Sequence, residues 1–173
     1  AAAVLFLSGH NNAAKVAPAY QDVCQTLVRA GLVVLAQDPV GQGERLSYFE
    51  PETKENPIGI GTRDHDYAGA QSRLLGETMA GYMLYDAMRG IDYLISRPEV
   101  DAAKIGVTGN SGGGTQTSLV MLTDTRVAAA APRPLCGAAA CLRDWTAALS
   151  AATLSASVGG FLLGSGLSTG SRI

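Results

Sequence analysis

The chain has 173 residues and a formal net charge of -2, a length that suits one domain with a substantial core. That charge gives no electrostatic case for nucleic acid or an anionic membrane surface, and no apolar run reaches the length of a membrane span. The three cysteines, Cys24, Cys136 and Cys141, lack metal-ligand spacing; small buried thiols are expected, with no metal and no cofactor.

Residues 3–7 (A-V-L-F-L) are continuously apolar, as in a strand buried on both faces. The run is short and has no basic flank, so it reads as a strand rather than a signal peptide. A soluble protein of unassigned compartment is the expectation. A polar loop, S-G-H-N-N, follows at residues 8–12. The spacing predicts a helix over 18–30, because Tyr20, Val23, Cys24, Leu27 and Val28 fall on one face. Pro18 suits its first turn and Gly31 its C-terminal cap. A second buried strand is predicted at 32–36, making a β-loop-α-β unit with parallel strands and a right-handed crossover.

Residues 38–45 (D-P-V-G-Q-G-E-R) close that strand, and 46–67 are expected as a long functional or flexible loop. The longest helix is predicted over about 71–96, with Leu84, Met88, Ile91 and Ile95 as its core stripe and Pro98 beyond its end. Further strands are predicted at 103–108 and 127–131, with a helix over 113–122 between them. The alternation of strand and helix predicts an α/β fold, a doubly wound parallel sheet with helices on both faces. Ligands should then gather beyond the C-terminal ends of the strands.

The chemistry concentrates at I-G-V-T-G-N-S-G-G-G-T, residues 105–115. A β-branched run ends in G-N-S-G-G before a helix, which is the G-x-S-x-G pattern in a strand–turn–helix setting. A sharp turn there strains the backbone at Ser111 and exposes its hydroxyl. Gly109 and Gly113, which flank Asn110 and Ser111, remove side chains that would collide. The following helix would aim its free N–H groups and positive dipole end at a developing oxyanion.

The ordered set L-F-L-S-G-H, D-P-V-G-Q-G-E-R, Y-M-L-Y-D-A-M-R-G-I-D-Y-L and K-I-G-V-T-G-N-S-G-G-G-T resembles the α/β-hydrolase superfamily over about residues 3–132. Within it, the chain is most similar to the acetyl xylan esterase and dienelactone-hydrolase-like branch. The resemblance implies a carboxylic-ester serine hydrolase of small acyl, acetyl, groups that works through an acyl-enzyme. Ser111 would be the nucleophile. The oxyanion hole would use the backbone N–H of Gly112 and one from the loop after the first strand, that of His10.

The chain departs from the family's pattern in two ways. Members usually carry two more strands ahead of the Ser-Gly-His equivalent, and place an acid and then a histidine after the serine. Here both histidines, His10 and His65, precede Ser111, and the acids that follow it are Asp124 and Asp144. A serine without an adjacent base is a weak nucleophile, so low turnover is expected. His10 reads as a backbone contributor rather than a base. His65, between Asp64 and Asp66, reads as part of a solvated charged loop. Asp38, Glu44 and Arg45 read as structural pairing around a tight loop, and no phosphate-binding glycine motif is present.

Two rivals stand beside the esterase reading: a member that keeps the fold as a binding or structural protein, and a segment whose missing parts lie elsewhere. A peptidase reading is weaker, because no specificity pocket or machinery for an amine leaving group is identifiable. The expected organisation is a core over 1–135 and an Ala/Gly/Ser/Leu-rich tail over 136–173 of the same domain. A tail helix is expected around Leu142, Trp145 and Leu149. The expected partner is a small ester substrate, with no nucleic acid and no membrane. Self-association is expected through an exposed sheet edge or the apolar tail.

Overall fold

The computed structural model describes residues 1–133. The expected tail helix, Asp144, Cys136 and Cys141 lie outside the described residues.

Four parallel strands form the sheet: β1 (Ala3–Leu7), β2 (Val33–Gln37), β3 (Ile105–Asn110) and β4 (Val127–Arg133), in the order β2-β1-β3-β4. Leu7 of β1 pairs with Gln37 on one side and with Gly109 on the other. Four α-helices accompany them: α1 (Pro18–Arg29), α2 (Thr62–Arg73), α3 (Met79–Ser96) and α4 (Gly112–Thr123).

Side chains alternate across a strand, and β1 divides accordingly. Ala3, Leu5 and Leu7 join Ala87, Ile91 and Leu94 of α3 and Val120 of α4 in one core cluster. Val4 and Phe6 point to the opposite face, where Tyr20, Val23, Cys24 and Leu27 of α1 cover them. Phe6 and Tyr20 stack with centroids 5.3 Å apart. Burial of each large side chain of this kind contributes about 1.5–3 kcal/mol. Helices thus lie on both faces of the sheet, as the alternating pattern predicts. Burial pushes the Cys24 thiol up to about 11, so it stays protonated and inert, as the sequence suggested.

Two expectations need correction. The single long helix over 71–96 is two helices. Gly76 takes a left-handed φ of 76°, and Glu77 N–H reaches back to the Ser72 carbonyl at 3.0 Å, which closes α2 in the manner of a glycine C-cap. Thr78 then opens α3 by accepting from Gly81 N–H at 3.0 Å. The second correction follows from the first: the stretch from Thr62 onward, expected as loop, is helical.

The chain passes from β1 outward to β2 and then back across to β3 on the other side of β1. The sheet therefore reverses its winding between β1 and β3, and a crevice opens at the C-terminal ends of those strands. Two loops end there, the one after β1 and the turn after β3.

Candidate functional site

Ser111 occupies the turn between β3 and α4. Its φ of 54° and ψ of -119° lie outside the regions open to ordinary L-residues. The turn is held from several sides. Ser111 N–H donates to the Arg133 carbonyl at 2.7 Å, and the Ser111 carbonyl accepts from Thr115 N–H at 3.1 Å. A Cβ on Gly113 would stand 1.9 Å from the Leu7 carbonyl oxygen, and one on Gly109 would stand 2.5 Å from both Leu7 O and Gly113 O. Only hydrogen fits at either place, so β1, β3 and α4 approach backbone to backbone. Gly9 makes the same contact from the other strand: its Cβ would meet Asn110 O at 2.3 Å and Ser111 Cβ at 3.0 Å.

Gly112 is the first residue of α4, where the backbone N–H has no partner within the helix. The His10 ring packs against it, with Nδ1 and Cε1 each 3.1 Å from the position a Gly112 Cβ would take. All six residues singled out from the sequence, His10 and Gly109 through Gly113, are therefore gathered at one end of the sheet. A half-buried helix N-terminal amide beside a serine on strained backbone favours negative charge there.

His65 departs from its expected place in a solvated loop. Its helix begins at Thr62, and flanking Asp64 is fully buried, accepting from Ser47 Oγ at 2.8 Å and Ser47 N–H at 3.2 Å. His65 Nδ1 lies 3.1 Å from His10 Nε2, and His65 Nε2 lies 2.7 Å from the Val40 carbonyl. A carbonyl oxygen only accepts, so His65 carries a proton on Nε2, and in the neutral ring its Nδ1 is then the acceptor. His10 must then donate from Nε2, which leaves the Nδ1 lone pair on its Gly112 side. His10 sits at the exposed rim of the site, yet loss of solvent around its ring and the neighbouring His65 lower its pKa below the ordinary histidine value.

Gln42, unremarked in the sequence, is buried with 1% exposure. Its Nε2 donates to the Gly9 carbonyl at 3.1 Å, and its Oε1 accepts from Asn11 N–H at 3.2 Å. The signal lay in G-Q-G: Gly41 and Gly43 both have positive φ, 79° and 59°, which lets the loop fold tightly enough to turn the glutamine inward. Asp38 is structural, as expected, though its partner is Lys15, through backbone N–H at 2.8 Å and Nζ at 2.6 Å. Glu44 joins the same lysine at 2.6 Å, and Arg45 pairs with Asp86 at 2.7 Å. Asp124 is buried at the C-terminal cap of α4 and holds Arg126. It is distant in the fold from the serine turn, at the other end of α4.

A cavity of about 30 Å³ lies beside Gly112, walled by Ser8, His10, Pro39, Met83 and Gln116 among others. The Ser8 hydroxyl is buried with no hydrogen-bonding partner among the described residues. No group of three or more residues able to hold a metal ion is found among the described residues, and no helix there is long and apolar enough to cross a membrane.

Residues 54–151 match the model of the Prolyl oligopeptidase family. The chain is 30% identical over 110 residues to YtaP of Bacillus subtilis (strain 168), a protein whose name assigns it as a hydrolase; the match covers 64% of this chain and 31% of YtaP. Among solved structures, a Bacteroides fragilis protein assigned as an acetyl xylan esterase superposes with a TM-score of 0.59 at 20% identity, covering 75% of this chain and 36% of that one. The acetyl xylan esterase from Paenibacillus sp. R4 gives a TM-score of 0.50 at 24% identity, over 75% of this chain and 38% of that one. These likenesses establish the fold as part of an α/β-hydrolase. The chain spans about a third of the length of these relatives.

Proposed function

The chain belongs to the Prolyl oligopeptidase family, and from that premise we propose that it is the nucleophile-bearing part of a serine esterase. Ser111 attacks the ester carbonyl, and the backbone N–H groups of Gly112 and His10 receive the oxyanion. The proton that Ser111 Oγ gives up passes to the departing alkoxide, which leaves as alcohol, and an acyl-Ser111 remains for water to hydrolyse. The observation that carries this reading is the backbone of Ser111, strained at φ 54° exactly where a helix N-terminus begins. A strained residue in a crevice is retained when function requires it.

The small cavity beside Gly112 supports a small acyl group. At about 30 Å³ it has room for a guest of roughly one or two water-sized units, a size that suits acetyl. The acetyl xylan esterase neighbours agree with such a substrate, whereas the family's own name points to peptides. An amide has the poorer leaving group, and among the described residues no Asp, Glu, Lys or Arg lines the cavity beside Gly112 to receive one.

No histidine follows Ser111 in this sequence, so deacylation by these residues alone is slow and the acyl-enzyme accumulates. The test is incubation with p-nitrophenyl acetate followed by peptide mass spectrometry. Acetylation of Ser111, absent from Ser111→Ala and much reduced with the butyrate ester, is the expected result. Acetyl groups confined to lysines would overturn the reading, and cleavage of a prolyl anilide in place of the ester would favour the peptidase alternative.

A further inference from the structure

The amide assigned to the oxyanion belongs to His10, on a loop between β1 and the 3-10 turn Ala14–Val16. An oxyanion donor acts only if it is fixed before charge develops, and a free loop would not be. The structure holds this residue from two directions. Gln42 spans it in the backbone, binding the carbonyl of Gly9 before it and the N–H of Asn11 after it. His65 holds the side chain, through Nδ1 to His10 Nε2, and is itself anchored by Nε2 on the Val40 carbonyl.

The two clamps are linked. Gln42 and Val40 lie two residues apart on the loop after β2, so both contacts refer His10 to one short segment. That segment is tied down in turn, by the Gly41 N–H to the Arg45 carbonyl at 2.7 Å and by Gly61 N–H to the Gly41 carbonyl at 2.9 Å. The space around the ring is closed on two more sides: a Cβ on Gly61 would lie 3.5 Å from His10 Cδ2, and one on Gly112 would lie 3.1 Å from His10 Nδ1. The ring is therefore flanked by α4 and the start of α2 while its outer side stays open to solvent, and one hydrogen bond sets its rotation.

We propose that Gln42 and His65 are positioning residues that fix the His10 peptide N–H toward the reacting carbonyl, Gln42 through the backbone and His65 through the imidazole. This rests on the esterase reading above. A side-chain amide with both ends bound to consecutive peptides sets the orientation of the peptide plane, not merely its location. Loss of the clamp leaves the ester able to bind while the oxyanion finds its second donor misplaced.

The experiment is the single-turnover acetylation of Ser111 by p-nitrophenyl acetate in the full chain, measured as a maximal rate and a half-saturating ester concentration. Gln42→Glu and Gln42→Met, and His65→Leu, are expected to lower the maximal rate at least about tenfold, a part of what deletion of a whole donor costs. The half-saturating concentration should stay within about twofold, since ground-state binding does not use this amide. His65→Asn keeps an acceptor near the Nδ1 position and should restore most of the rate that His65→Leu loses. Thermal melts of each variant separate misfolding from misplacement, and any variant that does not melt cooperatively is replaced by the other at the same position. Equal rates in wild type and all variants, or a loss that appears only as weaker binding, would overturn the proposal. If wild type itself leaves Ser111 unacetylated, the esterase reading fails first, and the two failures are told apart by that one control.

Discussion

Strands β1 and β3 differ from β2 and β4 in surroundings more than in sequence. All four are apolar, but every residue of β1 is buried and β3 is nearly so, whereas β2 is half-buried throughout and β4 exposes Ala128 and Ala129. The inner pair carries the Ser8–Asn12 loop and the Ser111 turn. The outer pair supplies the loop that clamps His10 and the carbonyl that receives Ser111 N–H. Burial is thus greatest under the candidate reacting groups, and the groups that adjust them hang from the outer strands of the described sheet. A firmly held site needs such a buried base.

The comparison breaks most violently at Gly113. Gly113→Ala forces a methyl to 1.9 Å from the Leu7 carbonyl oxygen, where backbone must move. We expect a loss above about 4 kcal/mol in urea denaturation, or no folded protein. Gly106→Ala, in β3, meets only ordinary contacts at 3.4 Å and beyond and should stay within about 1 kcal/mol of wild type.

The next test sets strand against strand. Leu5 of β1 is fully buried, so Leu5→Ala should cost about 3–5 kcal/mol. Leu35, its half-buried partner in β2, should cost about 1–2 kcal/mol. Equal losses would mean that β2 is covered as thoroughly as β1.

An ion pair ties the outer strand to the helices. Arg126, just ahead of β4, binds Asp124 of the α4 cap at 2.8 Å and also Asp92 of α3. The Arg126 hydrogen bonds hold the Asp124 carboxyl below the usual aspartate range. A depressed folded pKa adds stability that is complete above the unfolded value, near about 3.9, and fades as pH falls through the folded one. Asp124→Asn should therefore cost roughly 2 kcal/mol at pH 7, and the gap to wild type should shrink as pH drops below about 4.

The smallest expected effect has the opposite sign. Ser111→Gly removes the side chain from a backbone at φ 54° and should raise stability by about 1 kcal/mol, while Ser111 acetylation is lost with the hydroxyl. A melting temperature below that of wild type would show that the turn is not strained.

The fold was legible because its signals were local and redundant. Continuous apolar runs gave β1 and β2 to within a residue, and G-N-S-G-G located the turn after β3. The misreading of residues 62–96 came from starting one helix at about 71, ahead of its Leu84–Ile95 stripe, without weighing Gly76 and Thr78, whose cap chemistry ends α2 and opens α3. The site was legible in its parts that act through backbone: a strained serine, glycines that admit close approach, a helix start. Gln42 and His65 were not, because their meaning lies in partners far along the chain. Charged flanks made His65 look solvated, yet Asp64 beside it is buried by Ser47, a residue with nothing in its sequence setting to suggest it.

The register of β1 has a consequence for how the molecule is made. Ala3 pairs with Val33 on one side and with Ile105 on the other. The first partner leaves the ribosome soon after β1, and the β1–α1–β2 unit can close over a short loop. The second arrives only after the intervening helices, and closing that much larger loop is slow and entropically costly. Until then, the most apolar strand of the chain has one bare edge and one uncovered face, a state prone to wrong pairing. The crevice between β1 and β3, where the candidate site lies, therefore closes the longest loop of the described sheet, and acquisition of acylation competence should lag behind acquisition of helical signal during refolding.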